Sequence, residues 1–240
     1  MKIKLAIIGY GKMGKLIESI ASTSDFEVVS IIDPIFNNSI TPQAINNAEV
    51  AIEFTTPEAA LNNISKLLDL HIPVVTGTTG WYQHLDTIHR KVDETNGSFL
   101  YASNFSVGMN LVFRLAKDIA KILNLFPEYS ISISETHHIQ KKDKPSGTAI
   151  TLAHTIIDNH NRYTDWTLGE SSNQKTINIS ANRIEEVVGT HQLLIESGEE
   201  KILIEHQASD RKAFAKGALE AARFLYGKKG FYTFADVLTL

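Results

Sequence analysis

The sequence predicts an α/β protein in two parts: an N-terminal domain on a parallel sheet and an α+β C-terminal domain whose sheet is mixed or antiparallel. Three observations carry that expectation. An apolar strand runs directly into a glycine-rich turn and a helix within the first 20 residues; strand and helix patterns then alternate to about residue 102; and beyond residue 174 three strand-like stretches follow one another with no helix between them.

Ile3 to Ile8 reads as a mostly buried strand leading into Gly9-Tyr10-Gly11-Lys12-Met13-Gly14, after which Met13, Leu16, Ile17 and Ile20 recur at helical spacing. This is G-x-G-x-x-G in the strand-turn-helix context of a Rossmann-like dinucleotide-binding domain. Gly9 allows the tight turn, Gly11 lets backbone approach a pyrophosphate, and Gly14 lets the helix pack on the strand, with the helix N-terminus toward the phosphates. A second strand, Phe26 to Ile32, ends at Asp33, about 20 residues on, where this fold places the carboxylate that takes the ribose hydroxyls. Pro34 follows it rather than an arginine. That favours NADH, while Lys12 in the glycine loop leaves NADPH tolerated, since a flexible ammonium is a weaker phosphate clamp than a guanidinium.

Residues 36–48 are polar and contain Pro42, which suits a loop or short helix. Glu49 to Phe54 is a strand, Thr55-Thr56-Pro57-Glu58 starts a helix over Ala59 to Leu70, and Ile72 to Thr76 is the next strand. It ends in Gly77-Thr78-Thr79-Gly80, a hydroxyl-rich turn at the carboxyl end of a strand, where such sheets bind ligands; a plain β-turn is equally open from these residues alone. Trp81 to Glu94 predicts a helix and Ser98 to Ala102 a strand, leaving Ser103-Asn104-Phe105-Ser106-Val107-Gly108 at its end as a cofactor-side loop and a hinge. The expected dinucleotide-binding domain is 1–105, with 214–240 returning to it, and the expected substrate-binding and oligomerisation domain is 106–213.

In that second domain a helix is expected over Met109 to about Leu125, then a strand from Tyr129 whose apolar and hydroxyl residues alternate. A helix opens at Ala149, strands are expected around 175–181, 185–196 and 200–207, and a closing helix over 213–226 is capped by Gly227 to Gly230; Val237-Leu238 are too short to assign. Between the Tyr129 strand and the Ala149 helix lies Glu135-Thr136-His137-His138-Ile139-Gln140-Lys141-Lys142-Asp143-Lys144-Pro145-Ser146-Gly147-Thr148, which places two imidazoles and three lysines beside a turn able to bind an anion. Pro145 is pre-set for a helix start, Ser146 suits an N-cap, and the N–H groups around Gly147 and Thr148 would face a carboxylate. Taken singly, the histidine pair reads as readily as one surface and one packed ring, and the lysines as a solvated loop. Their meeting with the turn is the signal. No cysteine is present and no third ligand falls at a usual spacing, so no metal site is expected.

A net charge of -4 argues against general nucleic-acid binding, and the absence of cysteine excludes disulfides and thiolate chemistry. Lys2 and Lys4 interleave with Ile3 and Leu5 in place of a signal-like design, and no run approaches a membrane span, so the expectation is a cytoplasmic protein with no membrane partner.

Over essentially its whole length the chain resembles the 4-hydroxy-tetrahydrodipicolinate reductase (dihydrodipicolinate reductase) family. The most specific match is Glu135-Thr136-His137-His138 leading to Lys141 and then Asp143-Lys144-Pro145-Ser146-Gly147-Thr148-Ala149. Phe54-Thr55 with Pro57-Glu58, Gly77-Thr78-Thr79-Gly80, Asn104-Phe105-Ser106-Val107-Gly108 and Gly189-Thr190-His191 support it. The resemblance implies an NAD(P)H-dependent oxidoreductase of lysine and diaminopimelate biosynthesis acting on a small dicarboxylate. It implies that His137 is the acid–base group, Lys141 a proton donor, and His138 with Gly147 and Thr148 the substrate clamp. Cofactor contacts come from Gly9, Tyr10, Gly11, Lys12, Met13, Asp33, Gly77, Thr78, Thr79, Ser103, Asn104, Phe105 and Ser106, in a homotetramer built through the second domain. Two departures stand out: Ile139 and Gln140 replace an Arg and a His carried by many members, and Ile184-Glu185-Glu186 stands where glycine is common. Two other readings share the first domain. A dinucleotide-sensing regulator would need neither His137 nor Lys141, and a semialdehyde dehydrogenase would want a catalytic thiol.

Overall fold

Short β-branched runs become strands and the amphipathic stretches between them become helices, in a computed structural model that describes residues 2–239. The first part alternates as β1 (Ile3–Ile8), α1 (Lys12–Ala21), β2 (Phe26–Ile32), α2 (Pro42–Ile45), β3 (Val50–Glu53), α3 (Pro57–Asp69), β4 (Val74–Thr76), α4 (Leu85–Thr95) and β5 (Ser98–Tyr101). There follow α5 (Val107–Leu123), β6 (Ser130–His137), α6 (Gly147–Ile157), β7 (Asp165–Leu168), β8 (Thr176–Arg183), β9 (Gly189–Glu196) and β10 (Lys201–Ala208), and the chain closes with α7 (Lys212–Leu225), β11 (Gly230–Thr233) and α8 (Phe234–Val237). Two compact units result: the chain up to Ser106 together with everything from Lys212 on, and Val107–Arg211. No helix among the described residues is long and apolar enough to cross a membrane.

The first unit holds a six-stranded sheet in the order β11-β5-β4-β3-β1-β2, parallel at every pairing. A parallel sheet is covered on both faces, so its strands are apolar on both sides. Leu5 and Ile7 join one core with Ile17 of α1 and Ala218 and Leu225 of α7, while Ala6 and Ile8 join another with Ile64 and Leu67 of α3 and Ile88 of α4. Pro57 opens α3 at its first position, where its missing N–H costs nothing. Trp81 to His84 stays outside the helix expected there; α4 starts at Leu85 after a 3-10 turn. β11 is a strand not foreseen: Gly230–Thr233 adds to the edge of the sheet by pairing with Ser98–Tyr101.

The second unit carries a five-stranded sheet in the order β10-β9-β6-β8-β7. β6 pairs antiparallel with β9 but parallel with β8, so the sheet is mixed. Ile131, Ile133, Ile177, Ile179, Leu193 and Ile195 pack beneath Met109, Val112 and Ala116 of α5 and Leu152 and Ile156 of α6. β7, a short edge strand around the half-buried Trp166, was not foreseen either.

α7 lies so close to the turn after β5 that a Cβ on Gly217 would stand 1.7 Å from the carbonyl oxygen of Phe105. Alanine is the better helix former, by about 1 kcal/mol in a helix interior, yet here it must displace backbone. We expect Gly217→Ala to lower stability by about 1–3 kcal/mol, read as a lower thermal midpoint. A variant as stable as the parent would contradict this close approach.

Candidate active site

β6 carries its alternation past Ser134, so Ile131, Ile133, Glu135 and His137 all fall on the buried side of the strand. Glu135 is 1% exposed. A carboxylate at that depth needs donors. Arg183, at the end of β8, gives Nη1 and Nη2 to its Oε1, both at 3.3 Å. Ser146 gives its N–H to the same oxygen at 3.0 Å and its hydroxyl to Oε2. His137 Nδ1 and His191 Nε2 stand 3.6 and 3.7 Å from Oε2.

Ser146 is the N-cap of α6, accepting from the N–H of Ala149 at 3.2 Å. Pro145 therefore precedes the cap and does not enter the first helical turn. The single hydroxyl proton of Ser146 goes to the acceptor-only carboxylate, so the 3.3 Å contact between Ser146 Oγ and His191 Nε2 is donated by the imidazole, which assigns the His191 proton to Nε2. The His137 and His191 rings meet edge to face with centroids 5.0 Å apart. Nothing hydrogen-bonds His137 Nδ1. Against the other edge of that ring lies Gly189, where a Cβ would come within 3.2 Å of both Cδ2 and Nε2.

Burial pulls His137 down to about 4; the nearby Lys141 and Arg183 cations act in the same direction, and Glu135 and Asp143 oppose them. The ring is thus neutral at pH 7 in the protein as it stands. Burial, reinforced by His137, His206 and Lys141, takes His191 down to about 3. Lys141 Nζ pairs with Asp143 Oδ1 at 2.8 Å. Burial pushes the Asp143 carboxyl up, but the hydrogen bonds from Lys141 and from the N–H of Gly147 outweigh it and hold it below its usual value. The turn expected to bind an anion thus has one, supplied by the chain itself. Arg183 ties the loop down through the carbonyls of Lys141 (3.4 Å) and Asp143 (2.5 Å). Thr148 is buried in the first turn of α6, and His138 Nε2 lies 3.3 Å from Arg211 Nη2; arginine only donates, so that nitrogen accepts.

The structure therefore gathers His137, Lys141, Ser146, Gly147 and Thr148 at the carboxyl end of β6 and adds residues given no role from sequence: Glu135, Arg183, His191 and Arg211. Continuing the β6 alternation two residues further would have placed Glu135 inside. The arginines had no local signal. Glu135, His137 and His191 offer ligand atoms within 4.8 Å of one another. Both oxygens of Glu135 already accept from Arg183 or Ser146, and a guanidinium beside them opposes a cation, so the grouping is a hydrogen-bonding centre.

In the first unit the glycine loop fits a dinucleotide. A Cβ on Gly11 would meet nothing within 4 Å, leaving backbone open to a phosphate, and α1 has neither a capping side chain nor an acidic residue in its first turn. Gly9 has φ +93, and a Cβ on Gly14 would fall 2.1 Å from the Gly9 oxygen. Asp33 accepts from the N–H of Tyr10 at 2.6 Å and of Ile35 at 3.0 Å. Lys12 is exposed and Met13 half-buried. Of the hydroxyl-rich turn, Thr79 is exposed while Thr78 is committed, its hydroxyl accepting from the N–H of Thr55 at 2.8 Å. Of the later loop, Asn104, Phe105 and Ser106 are buried and Ser103 half-buried, with Ser106 N–H donating to the Asn104 side chain at 2.8 Å.

Burial lowers the pKa of His137, His160, His191 and His206, and the two taken furthest down, His137 and His191, set a pH dependence of stability. An unfolded chain protonates them near their ordinary value of 6.5, the folded chain only toward about 4 and about 3. Between these limits the unfolded state binds more protons, so stability falls on acidification. We expect a lower thermal midpoint at pH 5 than at pH 7, and a flatter dependence in His191→Gln. Equal slopes in the two proteins would mean that His191 is not the cause.

Two family models cover the chain: dihydrodipicolinate reductase, N-terminus, over residues 3–105, and dihydrodipicolinate reductase, C-terminus, over residues 108–238. A 4-hydroxy-tetrahydrodipicolinate reductase from Christiangramia forsetii is 41% identical over 238 residues, covering 99% of this chain and 98% of that protein. One from Clostridium novyi is 37% identical, covering 95% of this chain and 94% of its own length. Among solved structures, a dipicolinate-bound dihydrodipicolinate reductase from Paenisporosarcina sp. TG-14 shares the fold, with a TM-score of 0.78 at 23% identity over 99% of this chain and 100% of that one. With both halves matched in order and relatives aligned from end to end, the chain belongs to the dihydrodipicolinate reductase family.

Proposed function

We propose that the chain reduces 4-hydroxy-tetrahydrodipicolinate to tetrahydrodipicolinate, a step of lysine and diaminopimelate biosynthesis, with a nicotinamide dinucleotide as reductant. The observation that carries the reading is the convergence of His137 and the Ser146-capped turn on one buried carboxylate at the end of β6, with Lys141 on the loop between them paired to Asp143. Net, the ring gains a hydride and a proton and loses its hydroxyl as water. Reduced nicotinamide, when bound, supplies the hydride. Gly9, Gly11, Gly14 and the N-terminus of α1 hold its pyrophosphate and Asp33 its ribose, with Tyr10, Lys12, Met13, Gly77, Thr78, Thr79 and Ser103 to Ser106 completing the cofactor side.

The chain's own work is then to hold two carboxylates and move one proton. Lys141 and the N–H groups of Gly147 and Thr148 receive one carboxylate, which replaces Asp143 like for like; His138 and Arg211 receive the other. A dianion beside His137 favours the imidazolium and offsets the burial that keeps the ring neutral. His137 then donates a proton at neutral pH, and Lys141 is the second proton donor. The homotetramer belongs to the same reading. Leu203 and its β9 partner Leu194 alternate with the core residues, so they lie on the sheet face turned away from the helices, and Leu203 is exposed, which supports association through that face.

Aspartate semialdehyde and pyruvate condensed enzymatically in the cuvette provide the substrate, and loss of reduced-cofactor absorbance reports turnover. His137→Gln is expected to lower kcat by roughly 10²–10⁴, the range of a lost general acid, with the fold intact. Near-normal turnover would remove His137 from the mechanism.

For the cofactor we propose NADH preferred and NADPH tolerated. Asp33 is pinned by two backbone N–H groups where a 2′-phosphate would be repelled, and Pro34, Ile35 and Phe36 bring no cation. Asp33→Ala should move the ratio of specificity constants toward NADPH, less so in high salt because part of the effect is charge repulsion. A wild type that prefers NADPH by more than about tenfold, some 1.4 kcal/mol, would refute this role for Asp33.

A further inference from the structure

We infer that Glu135 is a positioning residue for the proton transfer: it holds the His137 ring with the proton on Nδ1, leaving Nε2 to exchange a proton with the substrate. The inference rests on the reading of His137 as the acid–base group. Glu135 Oε2 is the acceptor at ion-pair distance from Nδ1, 3.6 Å away, and no hydrogen-bond partner takes its place. Were the proton on Nε2 instead, the bare lone pair of Nδ1 would face carboxylate lone pairs inside a buried site, where such repulsion is least screened. The Nδ1–H form turns the same contact into attraction, and it tightens further when the ring gains its second proton.

The surrounding groups divide their roles consistently with this. The groups facing His137 are Glu135 on its own strand, His191 on β9, Arg183 on β8, and Lys141 and Asp143 on the loop. His191 does not compete for the role, because its Nε2–H is committed to Ser146 Oγ. Arg183 engages Oε1, the other oxygen, and balances the carboxylate's charge without occupying the side that faces the imidazole. Oε1 and Oε2 also hold the N–H and hydroxyl of Ser146, so the side chain that aims the acid–base group also sets the cap of the carboxylate-binding turn.

Glu135→Gln separates aiming from mere support. The amide keeps an acceptor for Arg183 and the Ser146 N–H but presents a donor to His137 Nδ1, which forces the ring into the opposite tautomer and removes the charge that favours imidazolium. The expected result is a kcat lowered by at least about tenfold. The alkaline limb of kcat against pH, along which protonated His137 is lost, should also move to lower pH. Loss confined to KM or to the thermal midpoint, with that limb in place, would make Glu135 structural only and overturn the inference. Should the variant fail to fold, long-range ¹H–¹⁵N spectra of the wild-type protein, with His137 assigned by comparison with His137→Gln, decide the matter: a neutral ring protonated on Nδ1 supports the inference and one protonated on Nε2 overturns it. A wild type without turnover would instead defeat the reading of His137, whatever tautomer the spectra show.

Discussion

A carboxylate with 1% of its surface exposed persists in a fold only where donors surround it, and Glu135 draws its donors from Arg183 on the neighbouring strand β8 and from the Ser146 helix cap. The order β9-β6-β8 places Arg183 on one side of it and His191 on the other. In the antiparallel pairing Glu135 stands opposite His191, and in the parallel pairing His137 stands opposite Arg183. Because side chains alternate along a strand, a slip of one residue would carry Glu135 and His137 to the other face of the sheet and strand the arginine without its partner. The register that secures the core of the second unit is the register that assembles the chemistry.

The first unit solves the reverse problem, in which side chains must be absent. Cβ atoms on Gly9 and Gly77 would lie 2.1 Å from the Phe54 oxygen and from the Phe54 ring, respectively. Phe54, just beyond β3, fills the space between the glycine loop and the hydroxyl-rich turn, and its ring packs on Phe105 with centroids 5.8 Å apart. Gly9, Gly14 and Gly77 are thus required by close packing, whereas Gly11 leaves open space. Glu53, fully buried, binds the hydroxyls of Thr55 and Thr76 and so joins the carboxyl ends of β3 and β4 beneath the same surface. The glycine loop is shaped from below by these contacts.

What could be read from sequence follows from how local the cause is. The run from Ile3 to Gly14 specifies strand, turn and helix within one short window, and Ser146 caps α6 through an atom three residues away. β11 escaped notice because Gly230 opens it and its partner is β5, over a hundred residues earlier, so only tertiary pairing makes it a strand. β7 escaped because a half-exposed edge strand has little apolar alternation to show. In the site, His137, Lys141 and the turn were legible because they share one loop. Arg183 and Arg211 were not, since an arginine on a strand end or loop reads as solvated until the register brings it to a carboxylate or an imidazole. The neutral state of His137 has no local signal for a related reason: burial, the first cause of its depressed pKa, is a property of the assembled sheet.

The connection from β8 to β9 shows how the site tolerates the departures in its sequence. Glu186 takes φ +64, a conformation glycine adopts without cost and other residues at roughly 1–2 kcal/mol. Both ends of this turn lie against His137. The N–H of Ile184 donates to the carbonyl oxygen of His137 at 2.8 Å, and at Gly189 the missing Cβ leaves room beside the Cδ2–Nε2 edge of its ring. With its ends held this way, the turn has its path set by His137 and its interior residues free to vary at the expense of some local strain. Ile139 and Gln140 are exposed and make none of the contacts of the Glu135 network described above.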